Sequence, residues 1–529
     1  MLYCHPFYSN IAKRKVMSFQ GGDWAPVPAV AFVLTSLVST WQLRRKLHST
    51  SIRHDSSYSK DPNADQIKNE VQQQRSKHFM KCVSISYANS GGLMIMQGKG
   101  SRLMDETGRS FLDTRNNVCH VGHCHPRVVE AVSKQLATLN TNTRYLHPTV
   151  CKLAERLCAK CPDSLQVVAF VNSGSEANDL ALRLARAYTG SSITIVVDGA
   201  YHGHTLGVLE VSPYKYEHSK EFRLTTQGNG AYQTPGRHIW KVPCPDVYRG
   251  PHNGENAGKE YASYVKEACD YYTSEGESVG AFIMEGGMSV GGVILPPDDF
   301  MRQSVDAVRT AGGVFIADEV QTGFGRLGSS FWAFQQGNHG VVPDILTIGK
   351  PFGNGMALGA VVMSRKIADH FDSMGVEYFN TFGGSPVAAA AGLAVMDVLE
   401  EENLQEHALQ IGEYLKQGFW KTQTSEKPKN VCIGDIRGNG LFLGIELVRD
   451  RDTKEPATRE TSFLCTILKQ HYDILTSVDG LHENVLVVKP PMVFSRADAD
   501  YFLESFAKAS NRVNQLTKEE LAAITKTPT

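Results

Sequence analysis

The chain is predicted to be an α/β protein with two parts. A large domain holds a mostly parallel sheet flanked by helices, and a smaller α+β domain accompanies it. Two observations lead there. From about Leu93 onward, short apolar runs alternate with helix-like stretches. Apolar runs without polar alternation are strands buried on both faces, as in parallel sheets covered by helices. After about Pro386 the pattern changes to helices plus short strands, at 441–447 and 485–488.

Taken in order, the elements begin after a distinct leader. Up to His54 the only acidic residue is Asp23, against Lys13, Arg14, Lys15, Arg44, Arg45, Lys46 and Arg53. That composition, rich in Ser and Thr, suits an organelle transit peptide, so a mitochondrial location is expected, with a cytoplasmic one as the alternative. The clean apolar part of this region, 29–38, falls short of the ~20 residues a spanning helix needs, so no stable membrane insertion is expected. Residues 1–75 are set aside as a targeting and flexible segment. Residues 76–138 read as the N-terminal part of the small domain, 139–386 as the large domain, 387–517 as the C-terminal part of the small domain and 518–529 as a tail. Residues 92–96 and 110–113 read as an antiparallel entry with a turn near Thr107-Gly108, and 127–137 as a helix. A strand at 167–171 ends in Asn172-Ser173-Gly174-Ser175-Glu176, and a helix follows over 177–188. Further strands are expected at 193–197, 279–284, 314–318 and 345–348, with a helix at 301–309 before the fourth.

Composition narrows the function. The formal net charge is -1 and the pI about 7.0, which gives no sign of a nucleic-acid surface. The 11 cysteines are scattered, as expected of free thiols in a reducing compartment, and no metal is expected. The run Cys119-His120-Val121-Gly122-His123-Cys124-His125 reads as a turn into the helix near Pro126.

In open parallel sheets the ligand sits beyond the carboxyl ends of the strands. Asp318, Lys350 and the turn at Ser173-Gly174-Ser175 all stand at such ends. Lys350 follows an apolar strand and precedes Pro351-Phe352-Gly353-Asn354-Gly355, so it can reach a ligand without a bulky neighbour. A buried aspartate needs a cationic or hydrogen-bonding partner. For Asp318 that partner is a pyridinium nitrogen or, as the alternative, Arg326. Free N–H groups where Ser173-Gly174-Ser175 opens a helix suit a phosphate. Tyr201, in Gly199-Ala200-Tyr201-His202-Gly203, can lie flat on a ring.

Together Ser-Gly-Ser-Glu-Ala-Asn (173–178), Tyr-His-Gly (201–203), Ala-Asp-Glu-Val-Gln-Thr-Gly-Phe-Gly-Arg (317–326) and Gly-Lys (349–350) resemble the class-III aminotransferases, in order and in spacing. The resemblance spans about residues 80–515. It implies the type-I fold of pyridoxal-phosphate-dependent transferases, with pyridoxal 5′-phosphate bonded to Lys350 and Asp318 on its ring nitrogen. It also implies Tyr201 stacked on the ring, Gln321 on the ring hydroxyl, Gly174 and Ser175 as the phosphate cup, and Glu285 beside the cofactor. Thr381, in Asn380-Thr381-Phe382-Gly383-Gly384, looks like the residue that reaches the neighbouring subunit's cofactor, which implies a homodimer or a dimer of dimers.

Several stretches resemble one branch of that family more closely, the ethanolamine-phosphate and 5-phosphohydroxylysine phospho-lyases. They are 116–126, 140–147, 212–215, 248–251 and 377–384. The chain departs from that branch at Met356-Ala357 and at Glu285-Gly286-Gly287-Met288. Glutamate-using members of the family hold a substrate α-carboxylate with an arginine three residues before a Pro-Pro pair, and gate it with a glutamate five residues after the position of Glu285. Here those positions are Val487 and Val290, so an α-carboxylate would lose a bidentate partner. The expectation is a lyase that removes phosphate and ammonia from a phosphorylated amine, with an alanine–glyoxylate type aminotransferase as the alternative. A departing phosphate needs cationic donors, for which Arg144, Lys215, Arg249 and Arg326 are candidates.

Overall fold

The computed structural model describes residues 63–88, 91–216, 238–336, 340–375, 377–422 and 429–523. The transit-peptide reading and the apolar run within 25–43 lie outside the described residues. Description begins with a helix, α1 (Ala64–His78), where the sequence reading expected a flexible lead-in. The segment has no apolar stripe, but it is built of Ala, Glu, Gln, Lys and Arg, which form helices readily. It is tied down by Lys68 to Glu106 at 2.9 Å and by Gln72 Nε2, which donates to the Gly91 carbonyl at 2.6 Å.

Three antiparallel strands follow: β1 (Ile95–Lys99), β2 (Arg102–Asp105) and β3 (Ser110–Asp113). The expected entry was two strands. The middle one, β2, was missed because its ends are charged and all four of its residues are only partly buried. Helix α2 (Pro126–Thr138) comes next.

The large sheet is built from β4 (Leu165–Val171), β5 (Thr194–Val197), β6 (Ile239–Val242), β7 (Ala281–Glu285), β8 (Val314–Asp318), β9 (Ile345–Ile348) and β10 (Gly359–Ser364). Its spatial order is β4-β10-β9-β8-β7-β5-β6. Strands β6, β5, β7, β8 and β9 are parallel, whereas β10 runs antiparallel to both β4 and β9. Every residue of β5, β7, β8 and β9 is buried, because helices cover both faces. Helix α3 (Gly174–Thr189) starts three residues earlier than expected and lays Leu180, Ala181, Leu184 and Ala185 into the core layer with Ile283, Ile316 and Val361. Each large aliphatic side chain fully buried there contributes roughly 1.5–3 kcal/mol. Helices α4 (Ala257–Ser274) and α5 (Phe300–Thr310) pack side by side and precede β7 and β8 respectively.

A long buried helix, α6 (Pro386–Glu401), leads to a second antiparallel sheet. That sheet contains β11 (Cys432–Asn439), β12 (Phe442–Asp450), β14 (Ser477–Asp479) and β15 (Val485–Val488), in the order β11-β12-β15-β14. Between them β13 (Ile474–Leu475) leaves to pair in parallel with β3. The first and last parts of the described chain are thereby joined in one sheet.

The register of the parallel strands positions the chemistry. Glu285 pairs with Asp318, and Asp318 with Thr347. The carboxyl ends of β7, β8 and β9 are therefore level, and Lys350 emerges three residues past Thr347.

Candidate active site

Beyond those strand ends lies a cavity of about 280 Å³, near the lower end of the size that holds a small ligand. Ser173, Gly174, Ser175, Tyr201, His202, Asp318, Gln321 and Lys350 all line it. The sequence reading placed these groups at separate strand ends, and the fold gathers them.

Asp318 is buried, and three donors hold its carboxylate. Asn178 Nδ2 donates to Oδ2 at 2.8 Å, His202 Nδ1 meets the same oxygen at 2.7 Å, and the Val320 N–H donates to Oδ1 at 3.0 Å. Asn178 is itself fixed, since the Thr347 hydroxyl donates to its Oδ1 at 2.6 Å. The alternative partner for Asp318, Arg326, lies elsewhere. Its guanidinium is fully buried and donates to the carbonyls of Leu441 and Pro490 and to His120 Nδ1. Arg326 therefore ties the turn after β8 to the segments around Leu441, Pro490 and His120 and is not available as a phosphate donor.

Lys350 opens a short 3-10 turn, Lys350–Gly353. Burial pushes its proton affinity below the usual lysine range; Asp318 and Glu285 oppose the shift, and the charge of Lys489 adds to it. Tyr201 is held by its backbone. Its N–H donates to Glu285 Oε1 at 3.0 Å, while the Ser289 N–H donates to Oε2 at 3.1 Å. Burial nevertheless raises the Glu285 carboxyl to about 7. Gln321 Oε1 accepts from Asn117 Nδ2 at 2.6 Å.

Ser173 caps α3, its hydroxyl accepting from the Glu176 N–H at 3.2 Å, while Ser175 Oγ accepts from the His204 N–H at 3.1 Å. The first N–H groups of a helix have no partner within it, and at this turn Gly174 and Ser175, which carry them, line the cavity. Close approach is what the glycines supply. A Cβ at Gly174 would stand 2.7 Å from Val320 Cγ1, and one at Gly349 would stand 3.0 Å from the Gly174 nitrogen.

The remaining sequence candidates are not all brought to the cavity. Arg144 is exposed; it pairs with Glu377 at 3.0 Å and lies over the Phe379 ring at 4.1 Å. Arg249 is bound to buried Glu446 and to the Lys454 carbonyl, so it is a strut of the small domain rather than a substrate donor. Lys215 Nζ stands 5.9 Å from the centre of the Tyr201 ring, near the site. Thr381 is exposed and does not line the cavity of its own chain. The neighbouring Asn380 is tied to the start of α3 through Glu176 Oε2 at 2.9 Å. Val487 is packed among Val293, Leu327, Ala333 and Phe442. Lys489, next to Pro490-Pro491, is buried.

Sequence reasoning assigned no role to Asn178, His202 or Asn117, although all three lie inside stretches that carried the resemblance. Their partners are far off in sequence, so no local signal marked them. It also missed the Cys158-Ala159-Lys160-Cys161 spacing. Those thiols are free, and among the described residues no three His, Cys, Asp or Glu side chains are grouped to hold a metal.

Known proteins are similar to this chain in sequence and in fold. The family profile for class-III aminotransferases matches residues 85–510. The protein named alanine–glyoxylate aminotransferase 2-like from Drosophila melanogaster is 45% identical over 463 residues, which cover 87% of this chain and 90% of that one. Ethanolamine-phosphate phospho-lyase homolog 1 from Caenorhabditis elegans is 45% identical over 413 residues, 76% of this chain and 85% of that one. Among solved structures, a phospholyase from Arthrobacter in complex with phosphoethanolamine superposes with a TM-score of 0.75 at 34% identity, over 84% of this chain and 100% of that one.

Proposed function

The chain belongs to the class-III aminotransferase family, and on that premise we propose that it is a phospho-lyase acting on a phosphorylated primary amine, phosphoethanolamine or 5-phosphohydroxylysine. Its cofactor is pyridoxal 5′-phosphate, and the site fits it. The glycine cradle at Gly174 and Gly349, the open helix start and the held carboxylate of Asp318 match a phosphate at one end and a cationic ring nitrogen at the other. The Nε2 of His202 is buried without a partner among the described residues, which leaves that side of the Asp318 cluster with a donor or acceptor to spare.

When bound, the cofactor supplies an electrophilic centre for the amine and a sink for the electrons of a broken C–H bond. The chain's own groups do the rest. Lys350 holds the cofactor, and its lowered proton affinity favours the neutral amine that takes a proton from the carbon bearing nitrogen. The Asp318 carboxylate, held in place by Asn178 and His202, would receive the ring nitrogen of the cofactor. Tyr201 is set as the stacking face by Glu285. Loss of the proton and of the adjacent C–O bond releases phosphate. With one water per turnover, phosphoethanolamine then yields one acetaldehyde, one ammonium and one phosphate.

The observation that carries this reading is the apolar character of both positions that would recognise an α-carboxylate. Val487 is sealed in an aliphatic and aromatic cluster, and Val290 engages through its carbonyl, which accepts from the Gly480 N–H at 3.0 Å. A second reading, transamination of alanine with glyoxylate, is supported by the name carried by the Drosophila relative. The test compares kcat/KM for phosphoethanolamine and for 5-phosphohydroxylysine with that for alanine plus glyoxylate. The phospho-lyase reading expects at least one phosphorylated amine to exceed the alanine reaction by 100-fold or more, the worth of about two charge-assisted hydrogen bonds. The reverse ratio establishes the transaminase. We also propose that the functional unit is a dimer and, from the basic, acid-poor leader, that the chain is mitochondrial.

A further inference from the structure

The end of β15 carries a buried charge that the account above does not use. Val487 and Lys489 are two residues apart on an extended segment and face the same way. Val487 packs on Phe442, and Lys489 Nζ lies 5.7 Å from the centre of the same ring. The ammonium is hydrogen-bonded to Ser289 Oγ and stands 3.5 Å from Asp479 Oδ2. Ser289 is also the residue whose N–H holds Glu285, and Glu285 in turn holds Tyr201. One continuous set of contacts therefore runs from Lys489 to the backbone of Tyr201, a residue of the cavity lining. The charge of Lys489 is felt at both Lys350 and Glu285.

A second ammonium stands near Tyr201, a residue of the cavity lining. Lys215 Nζ is 5.9 Å from the Tyr201 ring centre and 4.9 Å from that of Tyr214. Lys489, Arg115 and Lys215 all act on the one carboxylate of Asp479. Glu285 acts on Lys489 as well, so three cations share two acids beside a cavity whose own anion, Asp318, already has three donors. A buried ion pair is weak evidence of a stabilising role, since apolar residues of similar volume usually do as well. An ammonium has three donors, and the contacts above account for two of those of Lys489.

We infer that Lys489 is the specificity residue that receives the anionic group of the substrate, with Lys215 facing the same group, and that Ser289 and Asp479 hold it in place until the substrate arrives. The inference rests on the phospho-lyase reading for the identity of that group as a phosphate. It places the substrate's negative charge two residues beyond the apolar Val487, so a phosphate on a short amine is accepted where an α-carboxylate loses its usual partner.

The test is calorimetric binding of inorganic phosphate to the holoenzyme, in which the cofactor already fills its own phosphate cup. Wild type is expected to bind phosphate, and Lys489→Met to weaken it roughly 10- to 100-fold, the loss of one hydrogen bond between charged groups. Lys489→Arg should recover most of that loss, and Asp479→Asn should bind phosphate at least as tightly as wild type. No binding by wild type, equal binding by Lys489→Met, or an arginine variant as weak as the methionine one overturns the inference. If Lys489→Met does not fold, Lys489→Met with Asp479→Asn leaves no unpaired buried charge and carries the same expectation. Phosphate release from phosphoethanolamine separates the two claims. Release by wild type with an unchanged KM in Lys489→Met overturns the role of Lys489 and leaves the lyase standing. No release by wild type, with phosphate binding that depends on Lys489, overturns the lyase and leaves the anion site standing.

Discussion

Three donors converge on the carboxylate of Asp318, and the residue beside it in space, Lys350, is buried enough to give up its proton more readily than an ordinary lysine. In the proposed function the two would be coupled through the cofactor they hold. Lys350→Ala is expected to lose at least about 1,000-fold in turnover, within the range of a positioned acid–base group, and to lose the visible absorbance of the lysine-bound cofactor while its melting curve stays close to that of the apo wild type. Asn178→Ala removes one donor from Asp318 and leaves a buried oxygen short of a partner, so cofactor affinity should fall roughly 10- to 100-fold, read by titrating pyridoxal phosphate into apoenzyme. At this scale the sequence was readable where a residue's neighbours along the chain reveal its task. Lys350 and Asp318 each end an apolar run, and Ser173 stands at a helix start. Asn178 and His202 were not assigned, because what defines them is a contact with Asp318, more than a hundred residues away. Arg144 and Arg249 looked like phosphate donors for the same reason: no local pattern names Glu377 or Glu446 as their partners.

Strand ends and the turns beyond them make the site. Gly349 lets β9 end against the first turn of α3, and Gly349→Ala should push these two elements apart by tenths of an ångström. The expected result is retained secondary structure by circular dichroism with cofactor retention reduced about 10-fold or more, since misplacing a recognition group by a fraction of an ångström is costly. The turn after β8 holds a second feature. Glu319 is buried, accepts from the Phe334 N–H at 2.9 Å and from the Thr322 hydroxyl at 2.7 Å, and burial raises its carboxyl to about 7. A folded-state value above the unfolded one means that the protonated form favours the fold. Stability fully present below the ordinary value of 4.5 is lost as pH rises through about 7. Glu319→Gln should therefore gain on wild type between pH 5 and pH 8, by up to about 3 kcal/mol in denaturant titrations. Among the elements themselves, β4, β5, β7, β8 and β9 were legible as apolar runs, whereas β10, beside β9 in the sheet, was not named. Strands β2 and β6 were not: the first has charged ends and the second is a four-residue edge strand, and both depend on neighbours that the local pattern does not show.

On the scale of the molecule, the β3–β13 pairing and the Arg326 anchor join distant parts of the chain around the cavity. One surface is left strongly apolar: Leu146 is 99% exposed, and Tyr145 and Phe382 are each 68% exposed. Segment 143–146 lies against 377–382 through Thr143 and Arg144, so these side chains form one patch beside the loop that carries Thr381. We propose this patch as the surface through which the dimer forms. Sedimentation of the holoenzyme should show a dimer, and Leu146→Asp should shift it toward monomer and weaken cofactor retention. An unchanged mass for both proteins would remove the dimer from the account. The change of pattern near Pro386 falls where the long helix α6 begins and leads to the second antiparallel sheet, whereas α1 was hidden because a polar helix has no apolar stripe to announce it. A chain beginning at Asn63 keeps that helix and loses the basic leader, so its cellular distribution compared with the full chain tests the mitochondrial proposal, and identical distributions would defeat it. The central claim, elimination rather than transamination, is tested most directly by incubating the holoenzyme with phosphoethanolamine and no keto acid and counting phosphate and ammonia. Equal amounts of both over many turnovers, with the cofactor still in its aldehyde oxidation state at the end, is the predicted result. No phosphate from either phosphorylated amine, together with conversion of the cofactor to pyridoxamine phosphate when alanine is supplied, would contradict it.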